Sequence, residues 1–178
     1  NGDSIPTGLD DATWHSTTSG AYAIYNNDVA HNATYGKLYN WYAVNDSRGL
    51  CPTGWHVPSD AEWSTFINYL DPNAAGGDAW PNIAGGKMKS TGTIENGDGL
   101  WYSPNEQAAN ESGFTGLPGG YRNGNGTYNY IGDYGFWWSS SLSGTTASSR
   151  ELISYDGGMA RSIYYNRAFG FSVRCLRD

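Results

Sequence analysis

The stretch RELISYDGGMARSIYYNRAFGFSVRC, residues 150–175, lies near the C-terminal end of the sequence and predicts an antiparallel ribbon. Asp156-Gly157-Gly158 and Asn166-Arg167-Ala168 are turn-forming triplets, because Gly and Asn tolerate the backbone angles that tight turns need. The strands are therefore expected over residues 150–155, 159–165 and 169–175. In the last strand, alternation places three side chains on one face, which we expect to contact the core: Phe171, Val173 and Cys175.

The polar side chains of this ribbon are mostly Tyr, Asn, Ser and Arg. Tyr supplies a large contact area at little entropic cost, and Ser, Gly and Asn supply adaptable hydrogen bonds, so this mixture is typical of binding surfaces. The ribbon thus predicts ligand contacts by Tyr155, Asp156, Ser162, Tyr164, Tyr165 and Asn166, with Trp138 as a neighbour from the adjacent strand. The alternative is that the tyrosines are partly buried sheet residues with their hydroxyls at the edge.

Two further β segments precede the ribbon. The pairs Asn123-Gly124 and Asn125-Gly126 favour a hairpin turn, with Tyr128 and Tyr130 on the strand that follows it. The string FWWSSS, residues 136–141, predicts a strand in which one Trp faces inward and its neighbour faces outward.

The clearest helix signal is PSDAEWSTFINYLDP, residues 58–72. Ser59 and Glu62 form a capping box, in which each side chain satisfies a free backbone N–H of the first turn. Apolar residues then recur with helical spacing at Trp63, Phe66, Ile67 and Leu70. Pro72 ends the helix because it disfavours helical geometry at Asp71.

The remaining segments carry weaker signals. The chain up to about residue 35 is polar and is expected to be irregular, above all over residues 1–20, with aromatic anchors at Trp14, Tyr22 and Tyr25. Residues 35–44 favour a short helix over a strand because their apolar spacing does not alternate strictly. Residues 84–90 predict a single helical turn. No repeat or linker divides residues 1–178, which indicates one α+β domain.

Composition narrows the functional classes. The net charge is −7, which argues against a nucleic-acid partner because phosphates require a basic face. No apolar run reaches the length of a membrane span, so membrane insertion is not expected. The two cysteines, Cys51 and Cys175, are too far apart for a metal-binding or redox motif. They fit one long-range disulfide in an oxidising compartment, and two buried free thiols are the alternative.

The sequence offers little for catalysis or metal binding. None of the histidines lies in a nucleophile motif, and His56 is interpreted as a packed residue that hydrogen-bonds a loop. Asp71, Asn73 and Asp78 begin like a calcium loop, but Pro72 and the lack of a distal Glu break the pattern. No cofactor is predicted, and a structural calcium ion held by scattered acids stays an open alternative.

Five strings, in order along residues 20–178, resemble one family. They are LCPTGWHVPSDAEW (50–63), AGGKMKS (84–90), SGFTGLPGGYRNGNGTYNYIG (112–132), FWWSSS (136–141) and GFSVRCLRD (170–178). Together they are similar to the Fibrobacter succinogenes major paralogous domain. The resemblance implies a C-type-lectin-like fold, with two helices, a small twisted antiparallel sheet and long loops, related to the formylglycine-generating enzymes. Those enzymes use a nearby pair of cysteines, whereas residues 155–169 contain none.

The resemblance also implies a role. Such domains occur on exported bacterial proteins, and a subset consists of variable proteins diversified by retroelements, which display the C-terminal sheet to ligands. We therefore expect a non-catalytic, receptor- or adhesin-type domain that binds a protein or glycan on another cell surface. It is expected to be extracellular, displayed on a cell or on a virion. The alternatives are a carbohydrate-binding accessory module and, last, a formylglycine-generating-type enzyme.

Overall fold

The computed structural model describes residues 2–178. Its helices are α1 (Asp11–Ser16), α2 (Ala30–Tyr35), α3 (Trp41–Val44), α4 (Asp60–Leu70) and α5 (Ala84–Met88). Its strands are β1 (Tyr22–Ala23), β2 (Leu38–Asn40), β3 (Trp55–His56), β4 (Gly119–Arg122), β5 (Tyr128–Ile131), β6 (Tyr134–Ser143), β7 (Thr146–Ile153), β8 (Met159–Asn166), β9 (Gly170–Phe171) and β10 (Leu176–Arg177).

An eight-stranded sheet organises the chain, in the order β1-β2-β9-β4-β6-β7-β8 with β5 paired to β4. The pairings are antiparallel except for one parallel contact between β4 and β6, where Gly120 lies opposite Gly135. Strand β2 pairs with β9, and β3 forms a separate two-stranded ribbon with β10, so the C-terminal strands pair with strands of the first third of the chain. The domain is therefore α+β with a mostly antiparallel sheet, and the sheet is larger than the resemblance implied.

Helix α4 is the predicted helix, and its capping box is present. The Ser59 hydroxyl accepts the backbone N–H of Glu62 at 3.3 Å, and the Glu62 carboxylate accepts the Ser59 N–H at 2.7 Å. Trp63, Ile67 and Leu70 are buried, and Phe66 is half-buried against the same core. Helix α4 therefore forms where its end signals lie, and α5 forms within residues 84–90, where a single turn was predicted.

The sheet has a covered core on each side. One core lies under α4 and α5 and includes Trp137, whereas the other includes Trp138 with Trp41 and Phe171. Trp137 and Trp138 are 6% and 0% exposed. The prediction that one of them faces outward was wrong, because both faces of the strand are covered at this point.

The N-terminal segment contains more regular structure than expected. Helix α1 forms within residues 1–20, because the Asp10 carboxylate accepts the N–H of Thr13 at 2.7 Å and caps it, and α2 follows before residue 36. Trp14 is fully buried, and the Arg122 guanidinium lies 4.4 Å from the centroid of its ring. The aromatic anchor at Trp14 is thus confirmed, while the irregular backbone is not.

Other boundaries also differ from the sequence expectations. Residues 35–44 contain both alternatives, β2 and then α3, because the Asn40 side chain caps α3 by accepting the N–H of Ala43 at 3.1 Å. Of the last predicted strand, residues 169–175, only β9 is a regular strand, and β10 follows just beyond it. Across residues 2–178 there are five α-helices, besides two short 3-10 turns, rather than the two helices implied by the resemblance. No helix in this range has the length and apolar character needed to cross a membrane.

Cys51 and Cys175 form a disulfide, with their Cα atoms 5.9 Å apart. The bond lies beside the β3–β10 ribbon and joins two residues that are 124 positions apart in the sequence. The disulfide prediction is confirmed, and the free-thiol alternative is excluded.

Candidate ligand-binding surface

Strands β6, β7 and β8 pair in register, so each row of residues across them shares one face of the sheet. Phe136 lies opposite Glu151, which lies opposite Ala160, and the next row is Trp137, Arg150 and Arg161. Directly opposed residues of antiparallel strands point to the same side, and consecutive rows point to opposite sides. One face of this region therefore carries arginines, and the other carries Glu151.

The arginine face is closed by α4. Asp60, the first residue of that helix, accepts a hydrogen bond from Arg150 at 2.8 Å and another from Arg161 at 2.8 Å. The Arg150 side chain is fully buried, and Arg161 also reaches Asp78 at 3.1 Å. Burial alone would raise the pKa of Asp60, but hydrogen bonds from Arg161 and Arg150 hold that pKa below its ordinary value. The charges on this face satisfy one another.

The opposite face opens to solvent over a group of aromatic rings around Glu151. We call this group the tyrosine surface; its members are Tyr121, Tyr130, Tyr134, Glu151, Tyr155, Tyr165 and Phe169. Tyr130 and Tyr155 are 51% and 59% exposed, and the other members are half-buried. The buried ring of Phe136 lies beneath and contacts the rings of Tyr121, Tyr134 and Tyr165.

Ring contacts hold the tyrosine surface together. Tyr134 stacks on Phe136 with centroids 5.6 Å apart and planes 7° apart. Tyr130 lies 4.8 Å from Tyr134, and the hydroxyls of Tyr134 and Tyr155 are hydrogen-bonded to each other. On the other side, the rings of Tyr165 and Phe169 are 5.2 Å apart. Rings that already contact one another lose little freedom when a ligand arrives, so the surface is preorganised.

Glu151 is the one carboxylate of the tyrosine surface. Within residues 2–178 it forms no ion pair, and its hydrogen-bond partner is the Tyr165 hydroxyl. Burial raises the pKa of Glu151, and the hydrogen bond from Tyr165 acts in the opposite direction. Burial also raises the pKa of Tyr165, and the neighbouring Glu151 charge adds to that rise.

The backbone of Tyr130 is left-handed, with φ at 63°. This conformation costs an L-residue with a large side chain about 1–2 kcal/mol. It occurs at the end of β5, where the ring lies between Tyr121 and Tyr134, 5.7 and 4.8 Å from their centroids. Strained backbones concentrate at functional sites, where the rest of the fold holds them in place.

A buried lysine fixes the loop that carries Tyr155. Lys89 donates from Nζ to the carbonyl oxygens of Ile153 at 2.9 Å and Asp156 at 2.8 Å. Burial lowers the pKa of Lys89 to about 8. The N–H of Ser154 also donates to the carbonyl of Asp133 at 2.8 Å, so Tyr155 extends from a loop that is anchored on both sides.

Among the sequence-predicted ligand contacts, Tyr155 and Tyr165 belong to the tyrosine surface, and Ser162 lies half-buried on the same face. A β-bulge separates Tyr164 from them. Ser149 pairs with Ser162 and Ala147 pairs with Tyr165, so two residues of β8 lie opposite the single residue 148. Tyr164, which is 82% exposed, therefore points away from the tyrosine surface.

Three other predicted contacts lie elsewhere. Trp138 is fully buried, its indole N–H donates to the Tyr39 carbonyl at 2.8 Å, and this burial removes it from the candidate ligand contacts. Asp156 and Asn166 shape turns, since their side-chain oxygens accept the backbone N–H groups of the residues two positions on, at 2.6 and 2.9 Å.

The remaining members were not predicted from the sequence: Tyr121, Tyr130, Tyr134, Glu151 and Phe169. Their only local signal is the density of tyrosines around the Asn-Gly hairpin and the start of β6. Four of them come from four separate strands and Phe169 comes from the turn between β8 and β9, and only the sheet order brings them to one face.

Outside this surface, His56 has a carboxylate at each ring nitrogen. Nδ1 lies 2.7 Å from Asp178 and Nε2 lies 2.9 Å from Glu62, and these hydrogen bonds, Asp178 first, raise the pKa of His56. The ring therefore joins the C-terminal strand to the α4 cap. Within residues 2–178, no three His, Cys, Asp or Glu side chains lie close enough to share a metal ion. The carboxylate of Asp71 instead accepts backbone N–H groups.

These observations define a disulfide-bonded α+β domain with an ordered, partly exposed aromatic face. The family model described as the Fibrobacter succinogenes major domain matches residues 1–177, and the chain belongs to this family. The match confirms the resemblance carried by the five sequence strings. No curated protein matches the chain, and no solved structure matches it.

Proposed function

We propose that this chain is a non-catalytic ligand-binding domain of C-type-lectin-like fold that presents the tyrosine surface to a protein or glycan on another cell surface. The observation that carries the proposal is the cluster of exposed and half-buried rings on one open face of the sheet. Buried tyrosines of an ordinary core keep only their hydroxyls at the edge, whereas Tyr130 and Tyr155 expose half or more of their surface.

The physical chemistry of tyrosine supports binding. Each ring offers apolar area and a hydroxyl, and it has few rotatable bonds to immobilise. Here the rings are already fixed by one another, by the left-handed backbone of Tyr130 and by the loop anchored on Lys89. A ligand that meets this surface therefore meets a rigid aromatic platform with its hydrogen-bonding groups in place.

Two features support a non-catalytic role in an oxidising compartment. Both cysteines are joined in a disulfide, so neither is a free thiol of the kind that formylglycine-generating chemistry requires. Both nitrogens of His56 are engaged by carboxylates, so neither accepts a proton from a nucleophile. Disulfides persist in oxidising compartments, and this favours an extracellular, cell-surface or virion-displayed location.

The test compares tyrosines on and off the surface. Tyr130→Ser and Tyr155→Ser remove two exposed rings from the tyrosine surface, whereas Tyr69→Ser and Tyr164→Ser are matched controls, because each of those rings is 82% exposed elsewhere. Wild type and variants are screened for capture on a glycan array and on panels of bacterial and host cell-surface proteins. We expect the first pair to weaken binding by roughly thirtyfold, the effect of losing an anchor worth about 2 kcal/mol, and the controls to bind as wild type.

The outcome pattern separates the alternatives. Capture by glycans alone, lost in the same two variants, indicates the carbohydrate-binding accessory module instead of a protein receptor. Equal binding by all four variants places the ligand elsewhere and overturns the proposal. Retroelement diversification is tested at the gene. A reverse transcriptase gene and a template repeat of residues 150–175 next to the coding sequence support it, and the lack of both next to the genes of several homologues contradicts it.

A further inference from the structure

Glu151 is the least explained charge of the molecule. It lies half-buried near the rings of Tyr121, Tyr165 and Phe136, and burial raises its pKa because the carboxylate has lost water without gaining a cation. Asp60, half-buried on the other face of the same strands, is paired with two arginines. A partly desolvated carboxylate is stabilised by an opposite charge, and residues 2–178 form no ion pair with it.

Cation–π contacts occur at several other places in the chain. Arg122 lies over Trp14 and Tyr128, Arg167 lies over Tyr42, and Arg174 lies over Phe114, with guanidinium-to-centroid distances from 4.4 to 5.4 Å. Over residues 2–178, no lysine or arginine lies over a ring of the tyrosine surface. The rings that surround the unpaired carboxylate are therefore the ones left open to an external cation.

We propose that the tyrosine surface receives an arginine side chain of a partner protein, with Glu151 as its counter-charge and the rings of Tyr134, Tyr155 and Tyr165 as its walls. This inference rests on the proposed function and specifies its ligand chemistry. A guanidinium is flat, stacks on tyrosine faces and pairs with a carboxylate through two parallel hydrogen bonds. The floor of this part of the face is made of small residues, Ala160 and Ser162 opposite Glu151 and Ser149, which leaves room for a planar group.

Charge complementarity favours a basic protein segment over a neutral glycan. The chain carries a net charge of −7, which attracts a cationic partner before contact. A neutral sugar stacks equally well on the rings, but it leaves the Glu151 carboxylate without a counter-ion. The arginine assignment therefore accounts for Glu151, which stacking alone does not.

The probe is Nα-acetyl-arginine methylamide, titrated into the isotope-labelled wild-type protein while tyrosine ring signals are followed by NMR. We expect saturable shifts of the tyrosine-surface rings with a dissociation constant on the order of 1 mM, as suits a single side chain. The citrulline analogue has the same shape without the charge and is expected to bind about tenfold more weakly or worse. Added salt should weaken the arginine complex because the pairing is ionic.

The decisive variant is Glu151→Gln, which keeps the shape and removes the charge, with Glu111→Gln as the control because Glu111 is an exposed acid off the surface. We expect Glu151→Gln to reduce arginine affinity about tenfold and to leave citrulline binding unchanged, and Glu111→Gln to behave as wild type. Equal binding of arginine and citrulline, or unchanged affinity in Glu151→Gln, overturns the inference. A lack of NMR shifts with the arginine probe also overturns the inference. The proposed function is tested independently by the Tyr130 and Tyr155 variants in the ligand panels.

Discussion

Strands β7 and β8 show two contrasting ways to use the two faces of one sheet. On one face, Arg150 and Arg161 converge on Asp60, and α4 covers them. On the other face, one residue along each strand, Glu151 and Ala160 lie under tyrosines that reach solvent. The comparison teaches that burial and charge pairing distinguish the face covered by α4 from the face open to solvent more clearly than composition does, since both faces are rich in polar residues.

The largest effect should come from removing the cover of the closed face. Trp63→Ala takes a buried ring out of the core beneath α4, where it contacts Phe114 at 5.8 Å between centroids. We expect a loss of about 3–5 kcal/mol in the free energy of unfolding, measured by urea denaturation. Tyr155→Ala, on the open face, should cost about 1 kcal/mol through one ring contact and one hydroxyl hydrogen bond. Similar losses for the two variants would erase the distinction between the faces.

The two carboxylates provide the next contrast. Asp60→Asn leaves the fully buried Arg150 without its counter-charge, and because about a fifth of the Asp60 side chain (21%) is exposed, we expect a loss of about 3 kcal/mol. Glu151→Gln removes a charge that has no cationic partner in the described chain and whose pKa burial raises, so its free energy of unfolding at pH 7 should be equal to or slightly higher than that of wild type. Urea denaturation at pH 7 measures both. A large loss in Glu151→Gln would mean that this carboxylate holds the fold together.

Tyr130→Gly tests whether the strained backbone serves binding instead of stability. Glycine removes the cost of a left-handed residue, about 1–2 kcal/mol, and also removes two ring contacts worth about 0.5–1.5 kcal/mol each. The free energy of unfolding should therefore stay within about 1 kcal/mol of wild type while ligand capture is lost. Tyr164→Gly is the control for a ring off the surface. Retained capture in Tyr130→Gly would show that this ring is not a ligand contact.

The smallest expected effect is a difference in how the stability contributions of Asp60 and Glu151 depend on pH. The pKa of Asp60 is lowered in the folded state, so its stabilisation is present above its unfolded pKa and is lost as pH falls through the folded value. The pKa of Glu151 is raised, so the folded state keeps its proton longer and stability falls as pH rises from about 4.5 through the folded value. The measurement is the melting temperature of each variant minus that of wild type between pH 3 and 7. As pH rises, this difference should become more negative for Asp60→Asn and more positive for Glu151→Gln. Parallel curves would contradict the assignment of the two environments.

Local signals predicted much of the fold. The α4 capping box, the single turn at α5 and the turn triplets of the C-terminal ribbon all act within a few residues, and each forms where the sequence indicated. Cys51 and Cys175 are the only two cysteines in the chain, so the sequence allowed one intramolecular pair, and the structure shows that this pair is bonded. Signals of this kind need no knowledge of distant neighbours, which is why the sequence carries them.

The composition of the tyrosine surface could not be predicted in this way. Alternation along β8 groups Ser162 with Tyr164, but the bulge opposite residue 148 groups Ser162 with Tyr165 instead. Alternation along β6 sends either Trp137 or Trp138 outward, but α4 covers one of them and α3 with β9 covers the other. A register shift and the covering of a face are both properties of distant partners, so no window of the sequence contains them.

The sequence by itself thus determined the α+β class, the main helix, the turns, the only possible disulfide pair and the family. Only the tertiary structure decided which side chains meet. Tyr121, Tyr130, Tyr134 and Tyr165 come from four strands, and the order of those strands in the sheet places them around Glu151. Local structure follows from forces that act over a few residues, whereas a surface built from several strands depends on long-range pairing, which the burial of the whole core selects.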